Sequence, residues 1–431
     1  MTHILFITPY YPPEKNAPAI RISETAVRLV QRGYQVTVLT TVPNYPIGIV
    51  PPEYRGRAIQ EEVHDGVHVV RVWSYVSPNA GFVRRILAQF SFGCVASLLG
   101  SKAVGHPDII IVQSPPLFDA IAGRLMAWRK RCPFIFLVSD IWPESAVQLG
   151  MLRNRLFICL SEWLEWSTYL RARAVWVVTE GIRQRLIARG LPMEHIFLLT
   201  NGVDTTKFRP LSQSQARANL EWDDRFTVLY AGTLGLAHGL TTLLEAAEML
   251  QDRTDIRFVL VGEGATKGDL VTQADQRHLK NVTFLDAQPH QHMPVLLAAA
   301  DICLVPLRKL PLFEGALPSK MYEIMASARP MILGVNGEAR QLTEQEARAA
   351  LYVEPENPSA LVSAIHYLRE HPDQAKVLGQ RGRAFVEARF DRDQLSKELE
   401  ARIALLLGRT EPEATVVTPK PMSVLAGGGR E

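Results

Sequence analysis

Cysteine is scarce in this chain. Four of the 431 residues, Cys94, Cys132, Cys159 and Cys303, are cysteines, and none stands in a CxxC pair or at metal-ligand spacing. A disulfide scaffold and a cysteine-held metal are excluded on that ground, and a reduced cytoplasmic setting is expected. Glycine is missing from one particular place. The loop from Pro9 to Ala19 after the first apolar stretch contains none, which removes the G-x-G-x-x-G fingerprint and the simplest dehydrogenase reading. Long apolar runs are missing too: from Ile86 to Ser101 there are 16 uncharged residues between Arg85 and Lys102, short of the roughly 20 that span a bilayer. The opening MTHILFITPYYPPE lacks the basic and apolar regions of a signal peptide. No basic run is interleaved with aromatics, which speaks against nucleic acid. No internal repeat with a period of about 20–50 residues occurs.

What is present points to two α/β domains. The length exceeds what one hydrophobic core usually supports, and 47% hydrophobic with 21% charged residues is a soluble composition. The net charge of +3 hides an asymmetry: through Lys207 there are 22 Lys and Arg against 15 Asp and Glu, and after it 25 against 29. A basic first half expects an anionic partner, a membrane surface or a phosphorylated acceptor.

Apolar strands are expected at His3–Thr8, Gln35–Thr41, Val67–Trp73, Ile109–Gln113, Phe134–Val138 and Ala174–Thr179, with helical patterns such as Ile20–Arg32 between them. After the turn Asn201–Asp204, the polar residues 205–224 read as a linker. Alternation then resumes with strands at Phe226–Ala231, Ile256–Gly262, Val282–Leu285, Ile302–Val305 and Met331–Val335. The fold class is α/β, two doubly wound layers covering residues 1–204 and 225–390. A last helix within residues 391–408 is expected to pack back on the first domain, followed by a disordered tail at 409–431.

Two segments of the first half admit two readings each. Ile86–Ser101 is either a helix buried on the sheet or a helix lying among lipid headgroups with basic flanks. Leu152–Arg173 carries Trp163, Trp166 and Tyr169 beside four arginines, a pattern that suits a membrane interface or ordinary packing.

Chemistry is expected at the carboxyl ends of the strands. In the second half, the loops Gly232-Thr233-Leu234-Gly235 to His238, Gly262-Glu263-Gly264, Asp286–His290 and Glu314–Lys320 would converge there, with glycines that admit a phosphate to the backbone. Pro318 can open a helix. Within it Met321, Ile324, Met325 and Ala328 form an apolar stripe, while Lys320 and Glu323 share another face, where a cation and a carboxylate could hold a nucleotide sugar together. A surface ion pair is the plainer reading of those two residues. In the first half, Asp140 follows the strand Phe134–Val138 and suits a base or an orienting group for an acceptor hydroxyl, or else a helix cap before Pro143.

Taken together, ITPYYPPE, RGYQVTVLT, TVPNYPIG, HPDIIIVQSPP, DIWPES, NGVDTTKF, YAGTLGLAHGL, LVGEG and PSKMYEIMASARP resemble the retaining glycosyltransferases of the GT-B fold, family GT4. The chain is similar in particular to bacterial capsule, O-antigen and colanic-acid transferases, from about Met1 to Gly408. The resemblance implies a second domain that binds a nucleotide sugar, UDP-linked ahead of GDP-linked, and a first domain that binds a polyprenyl-diphosphate-linked glycan. It implies chemistry without a cofactor or metal, at the inner face of the membrane. Donor contacts are expected at Gly232, Thr233, His238, Gly262, Ser319, Lys320 and Glu323, acceptor contacts at Arg21, Tyr45 and Glu144, and catalytic roles at Asp140, Glu314 and Lys320. Glu323 matches the second glutamate of the family's E-x7-E motif. The first falls on Gly315, with Glu314 one position early, and the family's usual arginine and lysine fall on Thr233 and His238. A sugar-nucleotide epimerase and an inactive donor-binding partner are the competing expectations.

Overall fold

The computed structural model describes residues 1–14, 16–44, 48–76 and 82–409. Two sheets carry it. The first contains β1 (His3–Ile7), β2 (Gln35–Thr41), β3 (Ile59–His64), β4 (Val67–Val72), β5 (Ile109–Ser114), β6 (Phe134–Val138), β7 (Ala174–Val177) and β8 (Ile196–Leu198). Their spatial order is β3-β4-β2-β1-β5-β6-β7-β8. The second contains β9 (Phe226–Ala231), β10 (Ile256–Val261), β11 (Val282–Leu285), β12 (Ile302–Pro306), β13 (Met331–Gly334) and β14 (Ala350–Tyr352), ordered β11-β10-β9-β12-β13-β14.

Every pairing is parallel except β3 with β4. Parallel strands have helices on both faces, so β1, β5 and β6 are buried throughout and read as unbroken apolar runs. Strand β3 escapes a search for such runs because it is a half-exposed edge, IQEEVH. Its turn, Asp65-Gly66 with φ of 49° and 81°, is the two-residue hairpin chemistry that could have revealed it.

In each sheet the winding reverses direction once, between β1 and β5 and between β9 and β12. Crevices for ligands open at such reversals, beyond the carboxyl ends of the strands. The loops after those four strands therefore face the chemistry.

The segment expected as a linker contains the helix Gln213–Asn219, which belongs to the second domain. Ala216 is buried against Ala298 and Ala299, and Arg217 pairs with Asp301 at 2.5 Å. One small apolar face in a polar stretch is too little for periodicity to show. The final helix, Arg392–Leu406, is capped by Asp391 and packs on the first domain. Leu399 and Ile403 are buried in that domain's core, and Tyr34 donates to Glu400 at 3.2 Å. Residues 410–431, nearly all of the expected tail, lie outside the described residues.

The apolar segment of the first half is longer than its uncharged run. Phe82–Val95 continues through a π-turn, Ala96–Gly100, into Ser101–Ala103. The 21 residues from Val83 to Ala103 are long and apolar enough to cross a membrane, yet one side of them is packed inside: Phe92, Ala96 and Gly100 are buried. Val83, Leu87, Phe90 and Leu98 are exposed on the other side.

Candidate active site

In the second domain the glycine loops meet around one cation. Gly232 follows β9 with φ of 144° and Gly262 follows β10 with φ of 151°. A Cβ on Gly262 would lie 1.9 Å from the Gly232 carbonyl oxygen, and one on Gly232 would lie 2.7 Å from Lys320 Nζ. Side chains are excluded there both by backbone conformation and by space. Lys320 Nζ sits 3.8 Å from the centroid of the Tyr230 ring, is buried, and has no hydrogen-bond acceptor. Burial brings its pKa down to about 7, with the Glu323 charge acting in the other direction. Beside it, His238 lies 6.0 Å from Tyr230 between ring centroids. Burial, then the Lys320 charge, lowers its pKa to about 3, so the imidazole is neutral and its buried Nδ1 has no partner. Tyr230 itself donates to the Thr233 carbonyl at 2.7 Å. A buried ammonium without a counter-ion is costly. Here it lies at a sheet reversal beside two glycines whose own N–H groups are held by the Val261 and Leu285 carbonyls at 2.9 and 3.0 Å.

The expected pairing of Lys320 with Glu323 on one outer face is corrected. Lys320 turns into the glycine loops, while Glu323 takes His290 Nε2 at 3.0 Å, and that ring lies 5.1 Å from Phe208. The helix Lys320–Ala326 is also shorter than its sequence pattern. Ala328 leaves it with φ of 52°, and Tyr322, outside the expected stripe, is fully buried. Its first turn is tight: Met321 and Tyr322 N–H bond to the Pro318 and Ser319 carbonyls at 3.1 Å each, which leaves fewer free donors than expected. Ser319 makes no side-chain cap. Thr233 is exposed, and so is Glu314, on the 3-10 turn Pro311–Gly315.

In the first domain, Asp140 stands two residues after β6. It is not the helix cap: the helix Glu144–Gln148 begins after Pro143. Burial raises the Asp140 pKa, opposed by bonds from the Ser145 hydroxyl and the Ile141 N–H. A carboxylate held towards neutrality is a better proton acceptor at neutral pH than a solvated one. Arg21, in the second turn of the helix Ala17–Gln31, donates to Asn201 Oδ1 at 3.1 Å and Ser139 Oγ at 2.8 Å. Its buried Nε has no partner, and burial with the nearby Arg392 lowers its pKa to about 10. Glu144 is engaged with Arg185 at 2.7 Å. Tyr45 lies outside the described residues. Among the described residues no group of three or more His, Cys, Asp or Glu is placed to hold a metal ion.

Residues 16–202 match the glycosyl transferase 4-like domain, and residues 212–385 match the glycosyl transferases group 1 domain. The chain belongs to the GT-B glycosyltransferases, in family GT4. The colanic acid biosynthesis glycosyl transferase WcaI of Escherichia coli K12 is 27% identical over 398 residues, 90% of this chain and 96% of that protein. Among solved structures, the sucrose-phosphate synthase of Thermosynechococcus elongatus is 19% identical with a TM-score of 0.73, covering 95% of this chain and all of that one. The HepE protein of Anabaena, solved with UDP-glucose, is 15% identical with a TM-score of 0.70 over 94% of this chain and 100% of its own.

In this transferase two groups around the site were not anticipated. Tyr230 is the platform beneath Lys320, hidden in the sequence because a tyrosine in an apolar strand reads as core. Glu338 reaches the other domain: its carboxylate accepts from the N–H groups of Glu180 at 2.9 Å and Gly181 at 2.7 Å. A separation of 157 residues leaves no local signal for that contact.

Proposed function

We propose that this transferase moves a sugar from a nucleotide diphosphate, UDP ahead of GDP, to a polyprenyl-diphosphate-linked glycan, with retention of configuration, in surface polysaccharide assembly. The observation that carries the reading is Lys320: a buried ammonium without an acceptor, flanked by glycine backbone and neutral His238. A donor diphosphate supplies the missing negative charge, and Lys320, with no side chains at Gly232 and Gly262 in the way, meets the charge that grows as the diphosphate departs, without a metal. Glu323 is assigned to the ribose hydroxyls, in exchange for His290. Asp140 orients the acceptor hydroxyl, and the departing diphosphate oxygen helps take its proton. HepE's UDP-glucose and the colanic-acid role in the WcaI name support the donor and pathway parts of this reading.

The acceptor side is assigned to the cytoplasmic surface of a membrane. Val83, Leu87 and Phe90 on one helix, Trp128 on the next and Leu156, Leu160 and Trp163 on a third are exposed, with Arg84, Arg85, Arg153 and Arg155 beside them. Apolar side chains flanked by arginine suit an anionic bilayer surface. The test is a panel of nucleotide sugars read by thermal shift, then by transfer to a lipid-diphosphate acceptor. A ligand at 100 times its Kd adds about 2.7 kcal/mol of stability. If no nucleotide sugar raises the Tm, the donor reading fails.

A further inference from the structure

We infer that Glu338 is a positioning residue that sets how closely the donor and acceptor domains meet during transfer. The inference rests on the proposed reading that the sugar crosses the cleft between them. The helix Glu180–Ala188 starts just after β7, and Thr179 caps it by accepting from Ile182 N–H at 3.1 Å. The N–H groups of Glu180 and Gly181 remain, and both are taken by one carboxylate of the other domain, Oε1 and Oε2 of Glu338. Two charge-assisted bonds at the positive end of a helix form a directional contact, stronger than a surface ion pair.

The backbones around that carboxylate leave no slack. A Cβ on Gly181 would come 2.5 Å from Gly315 Cα, and one on Gly315 would come 3.1 Å from Gly181 Cα. Gly337, which precedes Glu338, has φ of 72° and would place a Cβ 2.0 Å from the Glu314 carbonyl oxygen. Two glycines, Gly181 and Gly315, thus let the domains touch at main-chain distance beside the carboxylate, while Gly337 lets the Glu338 turn pack on Glu314 within the second domain.

Each side of this seam leads to the chemistry. The turn Pro311–Gly315, against which Gly337 packs, belongs to the loop that ends at Lys320. The helix that Glu338 holds also carries Arg185, which pairs with Glu144 four residues beyond Asp140. Glu338 thereby couples the Lys320 loop to the Asp140 loop, and its loss loosens the distance between donor and acceptor rather than the nucleotide site itself.

The test uses the full chain with three substitutions: Glu338→Ala, Glu338→Gln, and Gly181→Ala, which keeps Glu338 and adds a methyl 2.5 Å from Gly315 Cα and 3.2 Å from Glu338 Oε2. Transfer kinetics, UDP affinity by calorimetry, Tm, and small-angle scattering with and without UDP are measured. Glu338→Ala and Gly181→Ala are each expected to lower kcat by roughly ten- to a hundred-fold, as a misplacement of about 1 Å does. UDP Kd should stay within about two-fold and the radius of gyration should rise, with Glu338→Gln between these and the wild type because one acceptor oxygen remains. Unchanged kcat in both Glu338→Ala and Gly181→Ala overturns the inference. So does a fall in kcat matched by an equal loss of UDP affinity or by general destabilisation. The transferase reading fails separately, through a wild type that transfers no sugar, and in that case the scattering comparison still decides whether Glu338 holds the domains together.

Discussion

Set aside the edge hairpin strand β3, and the two sheets wind alike, each starting in the middle and reversing once. Their surroundings differ. In the first domain the loop after β1 has prolines and no glycine, whereas after β9 and β10 the second domain places Gly232 and Gly262 in conformations that only glycine adopts readily. A phosphate can approach the main chain closely where no Cβ intervenes, so similar winding gives the second domain glycine turns that the loop after β1 lacks. The outer surfaces diverge as well. Of the 22 exposed large hydrophobic residues among those described, 18 precede Thr205, in the half that also carries the excess of basic residues. The sheet order therefore decides where a site lies, and the loops and helix exteriors decide what each site meets.

The largest expected effect would separate the domains by function. Asp140→Asn is expected to lower kcat by roughly 10²–10⁴-fold, the scale of a lost proton acceptor, while UDP affinity is unchanged. Stopped-flow kinetics beside calorimetry will show it. A parallel loss of UDP binding would erase the distinction between the two domains.

Lys320→Met addresses the other side. A loss of about 2.7–4 kcal/mol of transition-state stabilisation is expected in kcat/KM, as for removal of one preorganised donor. The Tm of the unliganded protein should hold or rise, since an unpaired buried cation disappears. The pH dependence has a definite sign. With its pKa lowered from 10.5 to about 7 in the folded protein, the unfolded chain binds more protons between those values, so stability rises with pH across that window. A bound diphosphate favours the charged amine, and calorimetry at pH 8 in buffers of differing ionisation enthalpy should register proton uptake. Absence of uptake in the wild type would count against Lys320 as the phosphate cation.

Glu323→Ala should weaken donor binding by roughly 1.5–3 kcal/mol through loss of a charged hydrogen-bond acceptor. The acceptor KM should stay unchanged. Unaltered nucleotide affinity would move the ribose contact to another residue.

The smallest effect concerns the outer surface of the first domain. Arg84→Gln together with Arg85→Gln should reduce binding to anionic vesicles by about 1 kcal/mol per arginine, with donor affinity unmoved. Equal and negligible flotation of the wild type with anionic and neutral vesicles would leave the exposed apolar side chains without a membrane role.

Most of the fold was legible because buried parallel strands are continuous apolar runs, as in HILFI and FIFLV. Strand β14, three residues long, and the helix Gln213–Asn219 were not, since both are too short for a period to emerge. For the site, loop chemistry marked Gly232, Gly262, His238 and Lys320 individually. Helical spacing also suggested that Lys320 and Glu323 act on one object. Spacing describes an isolated helix, so it did not show that the Lys320 side chain turns beneath two loops onto Tyr230, 90 residues earlier in the chain, or that Glu323 meets His290.

Local chemistry in the sequence determined the strands, the glycine turns and the residue types available at each strand end, because backbone conformation and burial pattern act over a few residues. Tertiary structure alone decided the partners. It left Lys320 without a carboxylate, joined Glu323 to His290, carried Leu399 into the core of the first domain and set Glu338 on the start of a helix across the cleft. Those contacts join residues far apart in the chain. The first two are settled within the second domain, whereas the last two exist only where the two domains meet.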